Sequence, residues 1–219
     1  MLGQLTPRRQ TVVASEIAAK IEQLPLREGS SFAEGQLLIA FNDTLQQAQL
    51  KRAAASHTAA ARTAVANEKL RALNSIGQVE YELSVAELAK ASAELAYAEA
   101  MLSKCRILAP YAGRVAELRV REKEFAQVGQ ALFEIIDADL PEIEFIVPSH
   151  TLAWLAIGQP VTVRIEETGL EHPARIDRIG ARVEPVSRTI KVVATFTGNP
   201  EGLVAGMSGS ITLAAPLAP

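Results

Sequence analysis

The chain has 219 residues, 48% of them hydrophobic and 21% charged, with a formal net charge of −3. Those proportions are globular and exclude wholesale disorder, and the slightly acidic balance argues against a chain built around nucleic-acid binding. One cysteine, Cys105, excludes an intramolecular disulfide and any Cys-based zinc site, and the histidines His57, His150 and His172 are too scattered to suggest a metal cluster.

No stretch approaches the ~18–20 uninterrupted apolar residues of a membrane-spanning helix. The opening MLGQLTPRRQ lacks the apolar core of a signal peptide. Two expectations follow: a cytosolic protein, or a soluble piece of an exported one. Residues 1–10 and 215–219 read as tails.

Residues 11–42 read as short strands around glycine turns at Gly29 and Gly35. The next segment, roughly 43–105, has almost no breakers. No proline stands between Pro25 and Pro110, and Gly77 is the one glycine between Gly35 and Gly113. The segment is dominated by Ala, Leu, Glu, Gln, Lys and Arg, all good helix formers. Asp43 reads as an N-cap and Asn74-Ser75-Ile76-Gly77 as a turn, which predicts two helices forming an antiparallel hairpin.

Its second helix carries a heptad-like seam at Tyr81, Ser84, Leu88, Ala91, Leu95, Ala98, Leu102 and Cys105. The first helix offers the same spacing at Leu45, Ala48, Arg52, Ala55, Ala59, Arg62, Ala66, Lys69 and Leu73, with basic residues in the stripe. At the far end, Leu70, Leu73 and Ile76 with Gly77 form an apolar group on a polar hairpin, and such clusters mark contact surfaces.

Residues 106–140 repeat the opening half. At an offset of 94 residues, Arg27/Arg121, Glu28/Glu122, Gly35/Gly129, Gln36/Gln130 and Leu38/Leu132 are identical. Apolar residues align at Ile21/Val115, Leu26/Val120, Ile39/Phe133 and Phe41/Ile135. Turns are expected at Gly113 and Gly129. Neither copy has enough apolar positions for a core, so the two are expected to pack together with the hairpin inserted between them.

From 141 to 214 the chain runs in β-branched segments: Ile143–Val147, Val161–Ile165, Ile190–Phe196 and Ser210–Leu213. With Ser149–Ile157 as one short helix and a turn at Gly206, about six strands predict a small closed barrel.

These features together resemble the periplasmic adaptor subunits, or membrane fusion proteins, of the HlyD-like family. The resemblance rests on Glu28-Gly29 with Gly35-Gln36-Leu37-Leu38, on Ala109-Pro110-Tyr111-Ala112-Gly113-Arg114-Val115, and on Ser187-Arg188-Thr189 with Leu203-Val204-Ala205-Gly206-Met207. It spans about residues 11–214. It implies an α+β, mostly β fold: a biotinyl/lipoyl-like sandwich in two halves (11–42 and 106–140), a helical coiled-coil hairpin (43–105) and a β-barrel domain (141–214). Residues 1–10 and 215–219 would then be tails or a remnant of the family's membrane-proximal domain.

The implied function is an adaptor in a multi-component efflux or secretion pump. It would bridge an inner-membrane transporter of RND or ABC type and an outer-membrane channel, in the periplasm at the inner membrane. It would assemble as a trimeric or hexameric ring, without nucleic acid, cofactor or chemistry of its own. The family's tip pattern is an Arg, a Leu four residues later and a Ser seven after that. It is matched here at Leu70 alone, with Ala66 at the Arg position and Gly77 at the Ser position.

Catalysis finds little support. There is no Gly-x-Ser-x-Gly, Walker loop or dinucleotide fingerprint, Ser149-His150 reads as a helix start, and Glu166-Glu167 reads as a turn. A carrier domain of biotinyl or lipoyl type would need a lysine where the halves join, and Asn42-Asp43 stands there instead. A structural coiled-coil scaffold is the other alternative. The three methionines, Met1, Met101 and Met207, are dispersed, which favours an organic cargo over soft metal ions.

Overall fold

The computed structural model describes residues 1–198, 200 and 202–213. Five strands come first: β1 (Leu2–Thr6), β2 (Gln10–Ala14), β3 (Ala19–Gln23), β4 (Ser31–Phe32) and β5 (Leu37–Phe41). Two long helices follow, α1 (Thr44–Ala72) and α2 (Gln78–Ser103). Next come β6 (Arg106–Leu108), β7 (Gly113–Leu118), β8 (Phe125–Ala126) and β9 (Ala131–Asp137). The chain closes with β10 (Glu142–Pro148), a 3-10 helix (Ser149–Ala153), β11 (Pro160–Ile165), β12 (Glu171–Glu184), β13 (Thr189–Phe196) and β14 (Ser208–Leu213). Two compact units result: Met1–Thr11 with Ile135–Pro219, and Val12–Glu134.

The first unit holds a closed six-stranded barrel in the order β1-β10-β13-β12-β11-β14. Alternation builds it. Ile143, Phe145 and Val147 on β10 stand opposite Ala194, Val192 and Ile190 on β13, and all six are buried. Val161, Val163 and Ile165 fill the interior from β11. The period of two turns the intervening residues outward, as at the exposed Thr162 and Arg164 of β11, although Val193 on the outer side of β13 is also covered.

Residues 1–10, expected as a tail or a domain remnant, instead supply β1, which pairs with both β10 and β14 and buries Leu5. The closure depends on small residues. Gly3 stands opposite Gly209, and a Cβ on Gly3 would lie 2.7 Å from the Glu144 carbonyl oxygen. The predicted helix over Ser149–Ile157 is shorter, a 3-10 turn over Ser149–Ala153, because Ala156–Gln159 form a tight turn of their own.

The second unit contains two four-stranded sheets, β2-β9-β7-β4 and β6-β5-β3-β8. Each mixes strands from both halves of the repeat, and the hydrogen bonds repeat with it. Gly35 N–H donates to Ala109 O (2.9 Å) and Ala109 N–H to Gln36 O (2.9 Å). At the matching positions, Gly129 N–H donates to Ser15 O (2.7 Å) and Ser15 N–H to Gln130 O (2.9 Å). Ile21/Val115, Leu38/Leu132 and Ile39/Phe133 are buried as pairs. Gly29, Gly35 and Gly129 adopt φ of 78°, 75° and 79°, turn conformations that glycine enters without steric cost. Gly113 differs from expectation. It is a buried strand residue opposite Phe32 at the start of β7, where the other half has Ala19, and the bend lies upstream at Pro110–Ala112.

The hairpin leaves between Phe41 and Cys105, which are joined by Phe41 N–H to Cys105 O (2.8 Å). On α2 the predicted seam is the packed one: Ser84, Ala91, Ala98 and Cys105 are buried, with Tyr81, Leu88, Leu95 and Leu102 half-buried between them. On α1 the predicted stripe is wrong. Leu45, Ala48, Arg52, Ala55, Ala59, Arg62, Ala66, Lys69 and Leu73 are all exposed, and the covered face runs through Gln46, Leu50, Ala53, His57, Ala60, Ala64 and Asn67. Alanine is spread around the whole of α1, so apolar spacing does not fix which face packs. Burying the alternative would have desolvated two arginines and a lysine, a larger cost than any alanine returns.

Candidate docking site

At the hairpin tip, α1 ends in a Schellman motif. Ser75 N–H donates to Leu70 O (2.8 Å), Asn74 N–H donates to Arg71 O (2.9 Å), and Asn74 takes φ 56°. Asparagine suits this left-handed position because its short polar side chain tolerates it. Gly77 caps α2 in an extended conformation with φ −76°, so its backbone does not demand glycine. Across the turn, the Arg71 guanidinium lies 4.1 Å from the Tyr81 ring centroid and donates to Gln78 Oε1 (3.3 Å). Gln78 in turn donates to Glu82 (2.7 Å). The tip is therefore braced by polar and cation–π contacts, and its aliphatic side chains are left free.

Those side chains face solvent. Leu73 is 72% exposed, Leu70 40%, and Ile76 is half-buried. Two residues outside the sequence-derived group join them, Val79 at 70% and Leu83 at 65% exposure. Their sequence signal was the i, i+4 spacing of two apolar residues lying off the α2 seam.

Among the described residues no group of three or more His, Cys, Asp and Glu is placed to hold a metal ion. Burial, and secondarily the Asp43 carboxylate, push the Cys105 thiol pKa up, which keeps it protonated and unreactive. Ser149 and His150 begin the 3-10 helix, and Glu167 Oε1 accepts from Ser208 N–H (2.8 Å) in a turn. Gly206, at φ 98°, closes a turn in which its N–H donates to Leu5 O (2.7 Å). In the barrel, the buried Glu142 carboxylate is held by Arg8 (3.2 Å) and by Arg178, whose guanidinium pKa is raised by that hydrogen bond. This is a structural ion cluster. No described helix is long and apolar enough to cross a membrane.

Comparison with known proteins accords with this picture. Residues 143–217 match the sequence profile of the CusB-like, beta-barrel domain. The chain is 25% identical to the nodulation protein NolF of Rhizobium meliloti, over 94% of this chain and 60% of that protein. It is 26% identical to the probable efflux pump periplasmic linker protein SepA of Pseudomonas putida, over 97% of this chain and 54% of that one. The chain thus spans a little over half the length of the curated relatives it matches. Its fold superposes with a TM-score of 0.85 on a MacA–MexA chimeric protein containing the Pseudomonas aeruginosa MexA α-hairpin domain. That match is 20% identical and covers 96% of this chain and 79% of that one. A barrel matching the CusB-like profile, sequence similarity to efflux-pump linkers and a shared fold are what this chain has in common with the periplasmic adaptor, or membrane fusion, proteins.

Proposed function

We propose that the protein is a periplasmic adaptor that bridges an inner-membrane transporter of RND or ABC type and an outer-membrane channel in an efflux or secretion pump. The full-length protein would be held at the inner membrane and would assemble as a trimeric or hexameric ring around the conduit. The two four-stranded sheets are read as a lipoyl-like sandwich formed by residues 11–42 and 106–140. The hairpin is read as spacer and docking arm, and the barrel from 141 as the other contact module. Members of this group are generally non-enzymatic, and the adaptor would act through contacts, with an organic compound as the preferred cargo class.

One observation carries the reading: the braced hairpin ends in an apolar group in which Leu70, Leu73 and Val79 are exposed and Ile76, beside Gly77, is half-buried. Apolar side chains held at the end of a rigid polar arm cost solubility unless they meet a partner. The test is the double variant Leu73→Asp with Ile76→Asp in the full-length protein. Pump activity in cells should be lost while the melting temperature stays within a few degrees of the parent. Full activity would remove the tip as the docking site, and an unfolded product would make these residues core.

A further inference from the structure

The outer surface of the barrel carries a depression whose floor is made by four strands. Thr212 of β14 stands opposite Thr162 of β11, and Thr162 stands opposite Pro173 of β12. Thr197, immediately after β13, donates through its N–H (2.8 Å) and its Oγ1 (3.0 Å) to Pro173 O. One rung along, Arg175 of β12 lies between Pro160 of β11 and Thr195 of β13. Strand alternation turns these side chains outward while Val161, Val163, Ala174 and Ile176 fill the core. The depression has a volume of about 410 Å³, within the size range of small-molecule sites.

Its walls are apolar and rigid. Pro160 opens β11, a position that suits proline, whereas Pro173 lies inside β12, where proline forfeits a ladder donor. Both rings fix their backbone, so the shape of the lining does not wait on a ligand. Charge is the second feature. Elsewhere on the barrel, Arg8 lies 3.2 Å from Glu142, Lys191 lies 2.7 Å from Glu144, and Arg178 is held by Glu142 and Asp177. Among the described residues the Arg175 guanidinium has no ion pair and no hydrogen-bond partner. Asp177, two residues along the strand, is engaged by Arg178 (3.2 Å).

We infer that this depression binds a small organic carboxylate with an apolar body. The carboxylate pairs with the Arg175 guanidinium, and the body lies against Pro160 and Pro173. A guanidinium offers a carboxylate two parallel N–H donors, and the threonine hydroxyls are further donors for the same anion. Arg175 is the one cation on the lining among the described residues. One cation over apolar walls suits a singly charged amphiphile better than a phosphate, whose second charge would stay uncompensated.

This deepens the adaptor reading by naming a class of organic compound, and it rests on that reading only for the ligand's being cargo. Binding itself is a property of the barrel. Its test uses this chain alone, so a failure to bridge transporter and channel leaves it untouched, and a failure to bind leaves the bridging untouched.

The experiment is isothermal titration calorimetry of the full chain with three probes that share one tail: octanoate, 1-octanol and octylammonium. The parent should bind octanoate saturably, one per chain, bind 1-octanol about tenfold more weakly, and give no signal with octylammonium. Arg175→Gln should weaken octanoate about tenfold, to the level of the alcohol, and leave the alcohol unchanged. Thr162→Trp, which fills the depression, should abolish binding of both. No saturable octanoate binding, equal affinity for octanoate and octylammonium, or unchanged octanoate affinity in Arg175→Gln would overturn the proposal. Inorganic phosphate competing as well as octanoate would overturn the carboxylate assignment. If a variant fails to fold, the ranking of the three probes on the parent still decides.

Discussion

Five turns among the described residues share one local solution, and in Arg27–Ser30 the Ser30 N–H donates to Arg27 O (3.0 Å) with Gly29 third at φ 78°. Ala33–Gln36, Gln127–Gln130, Ala156–Gln159 and Val204–Met207 each return the fourth N–H to the first carbonyl, with glycine third at φ 75°, 79°, 83° and 98°. In the three that end in glutamine, the glutamine Oε1 also accepts the N–H of the first residue, at 3.0, 2.9 and 3.2 Å. These are type II turns, and the third position demands a residue that tolerates positive φ. Gly129→Ala should therefore cost about 1–2 kcal/mol through backbone conformation alone, since a Cβ there meets no atom within 4 Å. Gly209→Ala acts differently. Its Cβ would lie 2.9 Å from Ile143 Cδ1 inside the barrel, and overpacking of ~1–3 kcal/mol is expected. Thermal melts of the two variants separate the mechanisms, because only the second should be relieved by Ile143→Val.

Lys123 occupies, at φ 70°, the position that Gly29 fills in the other half of the repeat. It persists there because its ammonium donates to Glu22 Oε1 (2.7 Å) and to Glu22 O (2.9 Å). The hydrogen bond from Lys123 holds the Glu22 carboxyl below its usual 4.5, and the same bond raises the Lys123 ammonium above its usual 10.5. A lowered acid contributes stability that is complete above its unfolded pKa and fades as pH falls through the folded one. The raised base contributes fully below 10.5 and fades as pH rises past its folded pKa. Glu22→Gln should thus flatten the acid limb of the stability profile below pH 4.5 and leave neutral pH little changed, because the pair is exposed.

At the scale of elements, the hairpin is an insert whose ends already meet. Phe41 and Cys105 are hydrogen-bonded neighbours, so replacing residues 43–104 by a short Gly/Ser linker should leave a folded, cooperatively melting protein with its helical circular dichroism mostly gone. Loss of all cooperative unfolding would show that the two halves need the arm. Within the arm, α2 packs through alanine and serine at Ser84, Ala91 and Ala98. Close approach of this kind leaves no room for larger side chains. Ala91→Leu should cost ~1–3 kcal/mol and lower the midpoint of thermal unfolding, whereas Ala86→Leu on the outer face should not.

The elements also show where the sequence speaks and where it is silent. The repeat, the turn glycines and the α2 seam were legible because each rests on residue types that physics restricts: glycine at positive φ, leucine against alanine at heptad spacing. The α1 face was not legible, since alanine satisfies a buried and an exposed position almost equally. β1 was missed because Leu5 is its one buried side chain, and β12 because Pro173, Gly180 and many charges interrupt its alternation across two register shifts. Gly113 reads as a turn because glycine is a turn signal, whereas the structure uses it as a buried strand residue. Of the tip group, Leu70, Leu73 and Ile76 were visible as an apolar run in a polar hairpin. Val79 and Leu83 carry only the weaker signal of two apolar residues four apart and off the α2 seam, which does not by itself distinguish a contact surface from ordinary exposed side chains.

For the whole molecule, the proposed adaptor role asks for a spacer that works through contacts, and among the described residues no group of three or more His, Cys, Asp and Glu is placed to hold a metal ion. Its central claim is that the far end of the arm meets a channel of the outer membrane. The direct measurement replaces Leu73 by a photo-crosslinking amino acid in the full-length protein and irradiates living cells. The account predicts a crosslinked product with an outer-membrane channel protein, absent when the crosslinker stands at the buried seam position Ala91. Products only with cytosolic proteins would contradict the adaptor reading in favour of a scaffold, and no channel product from Leu73 in cells with an active pump would contradict docking through the tip.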